Sequence, residues 1–522
     1  MILRGLSKLG ATVTERCEDP FLTMLLSLAS DSFVYFIGSG VIGVGNVVLV
    51  PLYTRYLSPA EFGVYTLVDI AVLVMVAVVG LGFNMSYLRW YVEVSEGQRS
   101  VLLNSMLLVS TIAALLGGGG LAGIAASLVG EKWLQTGPKN IAWTLFPLVL
   151  LENLQVLLLT DLRARRDAVA FSLGSVIRVL GMIGFSLWFV AVQKEGVRGV
   201  LLGRIAGDTI GVLLLLWVCF QHPDLHFSWE LVKPMLRYGL PLIYSSLMAM
   251  LLDASGRYFL SHYGTLEQVG FYGAGIKISN LMRVMVVQPF GVAWGGLMFR
   301  IAKQSDAELI YSKLFAYILT AALAVALGIA LFSPTIFALF TTPAYTPALQ
   351  VFPLLLLVQV CTVLQYPASV GLYLKEKTHL FLPIYAVALA TAVVSNRVLT
   401  PTYGMIGCAA GSIAGWIAVV GLESVIGQRY YALHYDWGAI VFAVLLVSGA
   451  LVVGRHWAPG VHLRHILLQG ALLLVVITAL GGWSFWDYRR YRMRSLSSRT
   501  SSLISHQEAE RCHVRPGPTH EI

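Results

Sequence analysis

Three features of the sequence predict an all-α, polytopic membrane protein with about 14 transmembrane helices. First, 57% of the 522 residues are hydrophobic and only 12% are charged, a balance unlike that of soluble globular chains. Second, apolar runs of roughly 20 residues, each enough to cross a ~30 Å hydrocarbon core, recur from Phe33 to Trp486 with no long polar stretch between them. Third, the basic residues alternate between loops. One set of loops, including Arg4, Arg89, Arg163, Arg165, Arg166, Arg237, Arg300, Lys375 and the tail from Arg489 to Arg515, carries 23 lysines and arginines; the other carries 9. By the positive-inside rule both termini then face the cytoplasm, which agrees with an even helix count. The net charge of +9 is accounted for by this asymmetry, so no nucleic-acid partner is expected from it.

The chain divides as follows. Residues 1–31 form a cytoplasmic N-terminal arm without a cleavable signal, with Met24 as an alternative start. Residues 32–222 carry helices 1–6, residues 223–432 helices 7–12, and residues 433–488 the last two. Residues 489–522 are an Arg- and Ser-rich tail, read as disordered, whose RRYRMR cluster suits an anionic lipid surface.

The two six-helix stretches look like copies. Tyr56, Ser58, Gly63 and Tyr65 return 207 residues later as Tyr263, Thr265, Gly270 and Tyr272. Phe146-Pro-Leu-Val-Leu-Leu returns as Phe352-Pro-Leu-Leu-Leu-Leu, and Gly203-Arg-Ile-Ala-Gly returns as Gly411-Ser-Ile-Ala-Gly, in the same order and nearly the same register. Because six is even, both copies insert the same way up. This predicts two parallel lobes related by an axis along the membrane normal, with a site between them.

Charge within the apolar runs marks that site, since an ionised side chain in the bilayer centre needs a partner or water. The stretch from Leu251 to Arg283 holds Asp253, Arg257, Lys277 and Arg283; the first copy adds Arg178, Arg204 and Asp208. Arg204 with Asp208, and Asp253 with Arg257, are spaced i and i+4, so each pair can share a face and partly neutralise itself; Asp208 and Asp253 are read as ion-pair or coupling residues. Arg178, Lys277 and Arg283 have no near partner in the sequence. The five cations exceed the two acids, which points to a wet, electropositive cleft for a phosphate or pyrophosphate group. Packing ion pairs and snorkelling are the bland alternatives. Glu152 and Glu423 are single acids, each a structural hydrogen bonder or a proton-coupling group.

Other features carry less. Gly38-Ser-Gly-Val-Ile-Gly43 matches a dinucleotide-loop spacing, but it lies in an apolar span with no preceding strand and reads as small-residue helix packing. His456, His462 and His465 cluster near one loop and read as interfacial rather than metal-binding. Cys17, Cys219, Cys361, Cys408 and Cys512 are scattered without a disulfide or metal spacing. No cofactor is expected, and no phosphate-binding loop for ATP is present.

LVPLYTRYLSPAEFGVY (49–65), GLGFNMSYLRWY (80–91), LLDASGRYFLSHYGTLEQVGFYGAGIKI (251–278) and FTTPAYTPALQVFPLLLL (340–357) resemble signatures of the polysaccharide transporter family. That family belongs to the multidrug/oligosaccharidyl-lipid/polysaccharide exporter superfamily. The resemblance implies a MATE-like exporter fold of two rocking lobes, and a non-enzymatic, Wzx-type flippase in the bacterial cytoplasmic membrane. It would move an undecaprenyl-diphosphate-linked oligosaccharide, an O-antigen, capsule or exopolysaccharide unit. It also implies membrane lipids as surroundings, polysaccharide polymerase and chain-length proteins as partners, and a cationic lumen built from Arg178, Arg204, Arg257, Lys277 and Arg283. A cation-coupled multidrug exporter and a membrane polysaccharide polymerase or ligase are the alternatives. The first calls for an acidic or apolar cavity, the second for a large external loop.

Overall fold

The computed structural model describes residues 45, 47–129, 141–220, 226–304, 307–433, 435–457 and 464–483. The N-terminal arm, most of the expected first span and the basic tail lie outside these residues. All elements described here are helical. A stretch over 47–56 leads to Ser58, which caps α1 (Pro59–Val79). Ser58 Oγ accepts from the Glu61 amide at 3.3 Å while Glu61 Oε2 accepts from the Ser58 amide at 2.9 Å, with Pro59 in the first turn. Leu81 and Gly82, both at positive φ, turn the chain into α2 (Phe83–Glu93). There follow α3 (Arg99–Val129), α4 (Ile141–Ala164), α5 (Ala168–Leu187) with a π turn at Trp188–Val192, and α6 (Gly196–Cys219).

The second half begins with α7 (Trp229–Tyr263), which bends by 43° between Trp229–Pro241 and Ile243–Tyr263. Pro241 explains the bend, since its ring removes a hydrogen bond and crowds the preceding turn. Helix α8 (Leu266–Met282) opens on a second capping box, Thr265 with Gln268, displaced by 207 residues from Ser58 with Glu61. A π turn at Arg283–Val287 joins it to α9 (Gln288–Ile301). Then come α10 (Ala307–Leu331), α11 (Ser333–Phe340), a 3₁₀ turn at Pro343–Gln350, α12 (Phe352–Ala368) and α13 (Val370–Leu374). Helix α14 (Phe381–Gln428) is 48 residues long and breaks at Gly404, φ 56° and ψ −127°, which divides it into two lengths able to cross a membrane. Helix α15 (Trp437–Trp457) and α16 (Arg464–Trp483) end the described chain.

Eleven helices are long and apolar enough to span a bilayer among the described residues, or twelve with the bent α7. The expected count of 14 is not reached. The first span is largely outside the described residues, and the helix broken at Gly404 counts once.

In chain order α1–α6 are called the first bundle here and α7–α14 the second; α5 packs along α6 and α7 along α14, while α1 packs along α8 of the second group. Neither bundle gains a hydrophobic driving force from lipid, so close approach of small residues holds the helices. In the first bundle Gly203 and Gly207 of α6 lie against Ser186 and Met182 of α5, where an added methyl would come within 2.4–2.5 Å of their backbone nitrogens. The last two helices pack on α10: Ala443, Val447, Ala450, Val476 and Leu480 share one core with Leu319, Leu323 and Leu327.

The bundles meet at both ends of α1. At the capped end α1 crosses α8 symmetrically. A methyl on Gly63 would strike the Leu266 carbonyl oxygen, and one on Gly270 the Pro59 carbonyl oxygen; each would also lie 3.1 Å from the other glycine's nitrogen. Tyr345 of the second bundle is buried in the first bundle's core. Its ring meets Phe62 and Phe271 edge-on at 5.7 and 6.2 Å, and its hydroxyl donates to the Leu57 carbonyl at 3.1 Å. Burial pushes that phenol above its ordinary pKa. At the opposite end, roughly 30 Å away along α1, Gly82 abuts Gly239 of α7, and Trp90 packs on Tyr238 with ring centroids 5.5 Å apart. The Arg89 guanidinium lies 4.9 Å from both rings.

Candidate functional site

Between these two contacts, midway along α1, stands Asp69. It is the sole charged residue between Glu61 and Arg89, so its carboxylate must find cations among neighbouring helices. Lys277 of α8 donates to Asp69 Oδ2 at 2.6 Å across the bundle boundary, and Arg204 of α6 donates to Asp69 Oδ1 at 2.9 Å. Lys277 Nζ also lies 5.3 Å from the Tyr65 ring centroid.

The network continues inward. Arg204 hydrogen-bonds Glu152 of α4 through its other terminal nitrogen, and its Nε lies 4.0 Å from Asp208. Arg178 of α5 donates from Nε to Asp208 Oδ1 at 2.6 Å and reaches Glu152 at 3.7 Å. Asp69, Glu152 and Asp208 thus balance Arg178, Arg204 and Lys277. Beside them Gln155 of α4 is 1% exposed with neither side-chain polar atom hydrogen-bonded, and Asp208 Oδ2 also lacks a hydrogen bond.

The second bundle arranges its charges differently. Asp253 of α7 accepts from Trp416 Nε1 at 2.9 Å and lies 3.8 Å from Arg283, which also donates to Gln359 at 3.4 Å. The Arg283 side chain is 39% exposed, on the π turn after α8. Arg257 is 8% exposed; among the described residues no carboxylate lies within salt-bridge distance of it, and its Nε has no hydrogen-bond partner. It lies within electrostatic reach of Asp69 and Tyr272.

Several sequence expectations are corrected by this geometry. Arg178 and Lys277 are not partnerless, because residues 30 and 208 positions away supply their carboxylates. Arg283 meets Asp253, so the i,i+4 pair of Asp253 with Arg257 does not form. The other i,i+4 pair, Arg204 with Asp208, is only a 4.0 Å contact, since Asp208 gives its near oxygen to Arg178. Spacing places two side chains on one helix face but does not rank them against donors on other helices. Asp69 is absent from the sequence-derived set, although an isolated acid within an apolar helix is the signal that selected the others. Counting it and Glu152, five cations face four carboxylates, a far smaller excess than the sequence implied. Glu423, the other single acid, is fully buried; Gln365 and Tyr385 neighbour it, yet neither carboxyl oxygen has a hydrogen bond of good geometry.

Residues 52–293 match the family described as "Polysaccharide biosynthesis protein". A curated relative, the "Uncharacterized membrane protein YabM" of Bacillus subtilis (strain 168), is 26% identical over 397 residues, 65% of this chain and 70% of its own. Among solved structures, "Lipid II flippase MurJ, inward closed conformation" superposes with a TM-score of 0.70 over 88% of this chain and 99% of that one, at 13% identity. An inward-facing "multidrug resistance MATE family transporter of the MOP superfamily" superposes with a TM-score of 0.57 over 76% and 97%, at 17% identity. At such identities the likeness to the solved structures is one of fold. Residues 52–293 are thus similar to that polysaccharide biosynthesis family, and the chain shares its fold with the lipid II flippase and the MATE transporter.

Proposed function

We propose that this protein is a flippase, which carries an undecaprenyl-diphosphate-linked oligosaccharide across the bacterial cytoplasmic membrane by alternating access. The observation that carries the reading is Arg257, a buried guanidinium with no carboxylate within salt-bridge distance among the described residues, within electrostatic reach of the Asp69 that Lys277 holds. A buried cation left unpaired is costly in an empty protein and becomes favourable once an anion arrives. Planar guanidinium groups match phosphoryl oxygens two at a time. The head group would sit between the bundles while its lipid tail stays in the bilayer.

The two inter-bundle contacts support the alternation. One is made by Gly63, Gly270 and Tyr345, the other by Gly82, Gly239, Trp90 and Tyr238. Both contacts are made here, one at each end of α1. With the expected topology, parting the second admits substrate from the cytoplasm and parting the first releases it outside. The bend in α7 gives the second contact a place to flex.

Translocation of a lipid-linked oligosaccharide in reconstituted vesicles tests the reading. Wild-type protein is expected to move it, and the double variant R257M/R283A to lose transport while still inserting. Wild-type rates from the double variant, or no translocation by the native protein, would overturn it. In cells, deletion is expected to accumulate the unflipped intermediate on the cytoplasmic face. Unpolymerised units on the outer face would instead favour the polymerase alternative.

A further inference from the structure

Two features of the ionic network stand out together. Its core of Arg178, Arg204 and Lys277 with Asp69, Glu152 and Asp208 is charge-balanced without any ligand. It also spans the two bundles, because Lys277 belongs to α8 and its partner Asp69 to α1. An anion entering this core must compete with a carboxylate already in place. Of the three carboxylates, Asp208 is fully enclosed and Glu152 is held between two arginines. Asp69 has the most exposed side chain, at 23%, and is the one bound to Lys277.

We propose that Asp69 is an internal stand-in for the substrate's phosphate: it occupies Lys277 in the empty site and is displaced from it by an incoming diphosphate. This deepens the flippase reading and rests on it for the nature of the head group. Displacement needs a ligand of higher charge density than one carboxylate. The competition therefore discriminates against neutral lipids and singly charged head groups, for which Asp69 remains the better partner. Arg204 keeps its hold on Asp69 and Glu152 throughout, so the displaced carboxylate is not left as a lone buried charge. Lys277 passes to the ligand beside Arg257 and Arg283. Because the Asp69–Lys277 pair joins the bundles, the same exchange loosens their contact, so loading and parting become one event.

The test uses the full-length protein in nanodiscs with inorganic pyrophosphate as the probe, read by titration calorimetry. Removing a competitor should raise affinity, so D69N is expected to bind pyrophosphate at least tenfold tighter than wild type. E152Q, the same charge change at a carboxylate that does not hold Lys277, is expected to gain less than threefold. K277M should weaken binding at least tenfold, and D69N/K277M should bind no better than K277M. Should D69N not fold, the native protein serves: a zero-length carbodiimide joins the Asp69 carboxylate and Lys277 amine as an amide, and pyrophosphate is expected to cut the yield of that cross-linked peptide several-fold, orthophosphate much less. Unchanged or weaker binding by D69N, an equal gain in E152Q, or a yield insensitive to saturating pyrophosphate would each overturn the proposal. These readouts involve no oligosaccharide transport, so the flippase reading can fail in vesicles while the exchange stands, and the reverse.

Discussion

The first bundle's half of the site and the second bundle's half use the same residue type for different ends. Arg178 and Arg204 lie within carboxylates from three other positions, in contacts no longer than 4.0 Å, with side chains 12% and 9% exposed. Arg283 meets one acid, Asp253, at 3.8 Å, and among the described residues Arg257 meets none within salt-bridge distance. The arginines of the first half are matched by carboxylates already in place. The second retains unmet donor capacity and is the half that can take up a ligand. An arginine count alone cannot separate these roles; the accompanying acids do.

Substitutions can break this comparison. The largest effect is expected at Arg204, because R204M leaves Glu152 and Asp208 to Arg178 alone and Asp69 to Lys277. Loss of a buried ion-pair member typically costs about 3–5 kcal/mol, so a marked fall in thermal midpoint and in folded yield is expected. R283A should leave both near wild type and remove transport. Equal destabilisation by the two would erase the distinction between the halves. Next, R257M should keep or slightly raise the melting temperature while lowering pyrophosphate affinity at least tenfold, read by calorimetry. A thermal loss as large as that of R204M would show Arg257 to be structural.

The contacts at the two ends of α1 come third. In G270A the new methyl collides with the Pro59 carbonyl, so the capped ends of α1 and α8 must separate. Thiol labelling of a cysteine placed near that crossing is expected to speed up, with little change for one placed near Gly82. The smallest effect is expected for Y345F, which removes one hydrogen bond to the Leu57 carbonyl and keeps the ring packing; about 1 kcal/mol is typical, measurable as a small shift in melting. A large shift would mean that the hydroxyl, rather than the ring, fixes the 3₁₀ turn.

The architecture was legible because its signals are local. A serine or threonine cap with its acid or amide three residues on, the glycine two residues later, and runs of crossing length are all written in neighbouring positions. The 207-residue offset reappears as two capping boxes and a mutual glycine contact. The ionic site was legible only as membership. Arg178, Arg204, Asp208, Asp253, Arg257, Lys277 and Arg283 stand out by their charge in apolar helices, but who pairs with whom depends on helix rotation and on residues far away. Asp253 illustrates this: Arg257 is four positions on, yet Trp416 and Arg283 hold it. Asp69 shows the complementary failure, a single letter in an apolar run whose meaning comes from Lys277, 208 positions later.

The mutual crossing of Gly63 and Gly270 has an evolutionary corollary. Pro59 meets Gly270 as Leu266 meets Gly63, so the surface is self-complementary, the kind by which two identical half-length chains form a twofold dimer. In such an ancestor one codon would set both sides of the joint, and any bulkier residue would enter it twice. In a single chain the two positions are separate codons, so either side of the joint can change without the other.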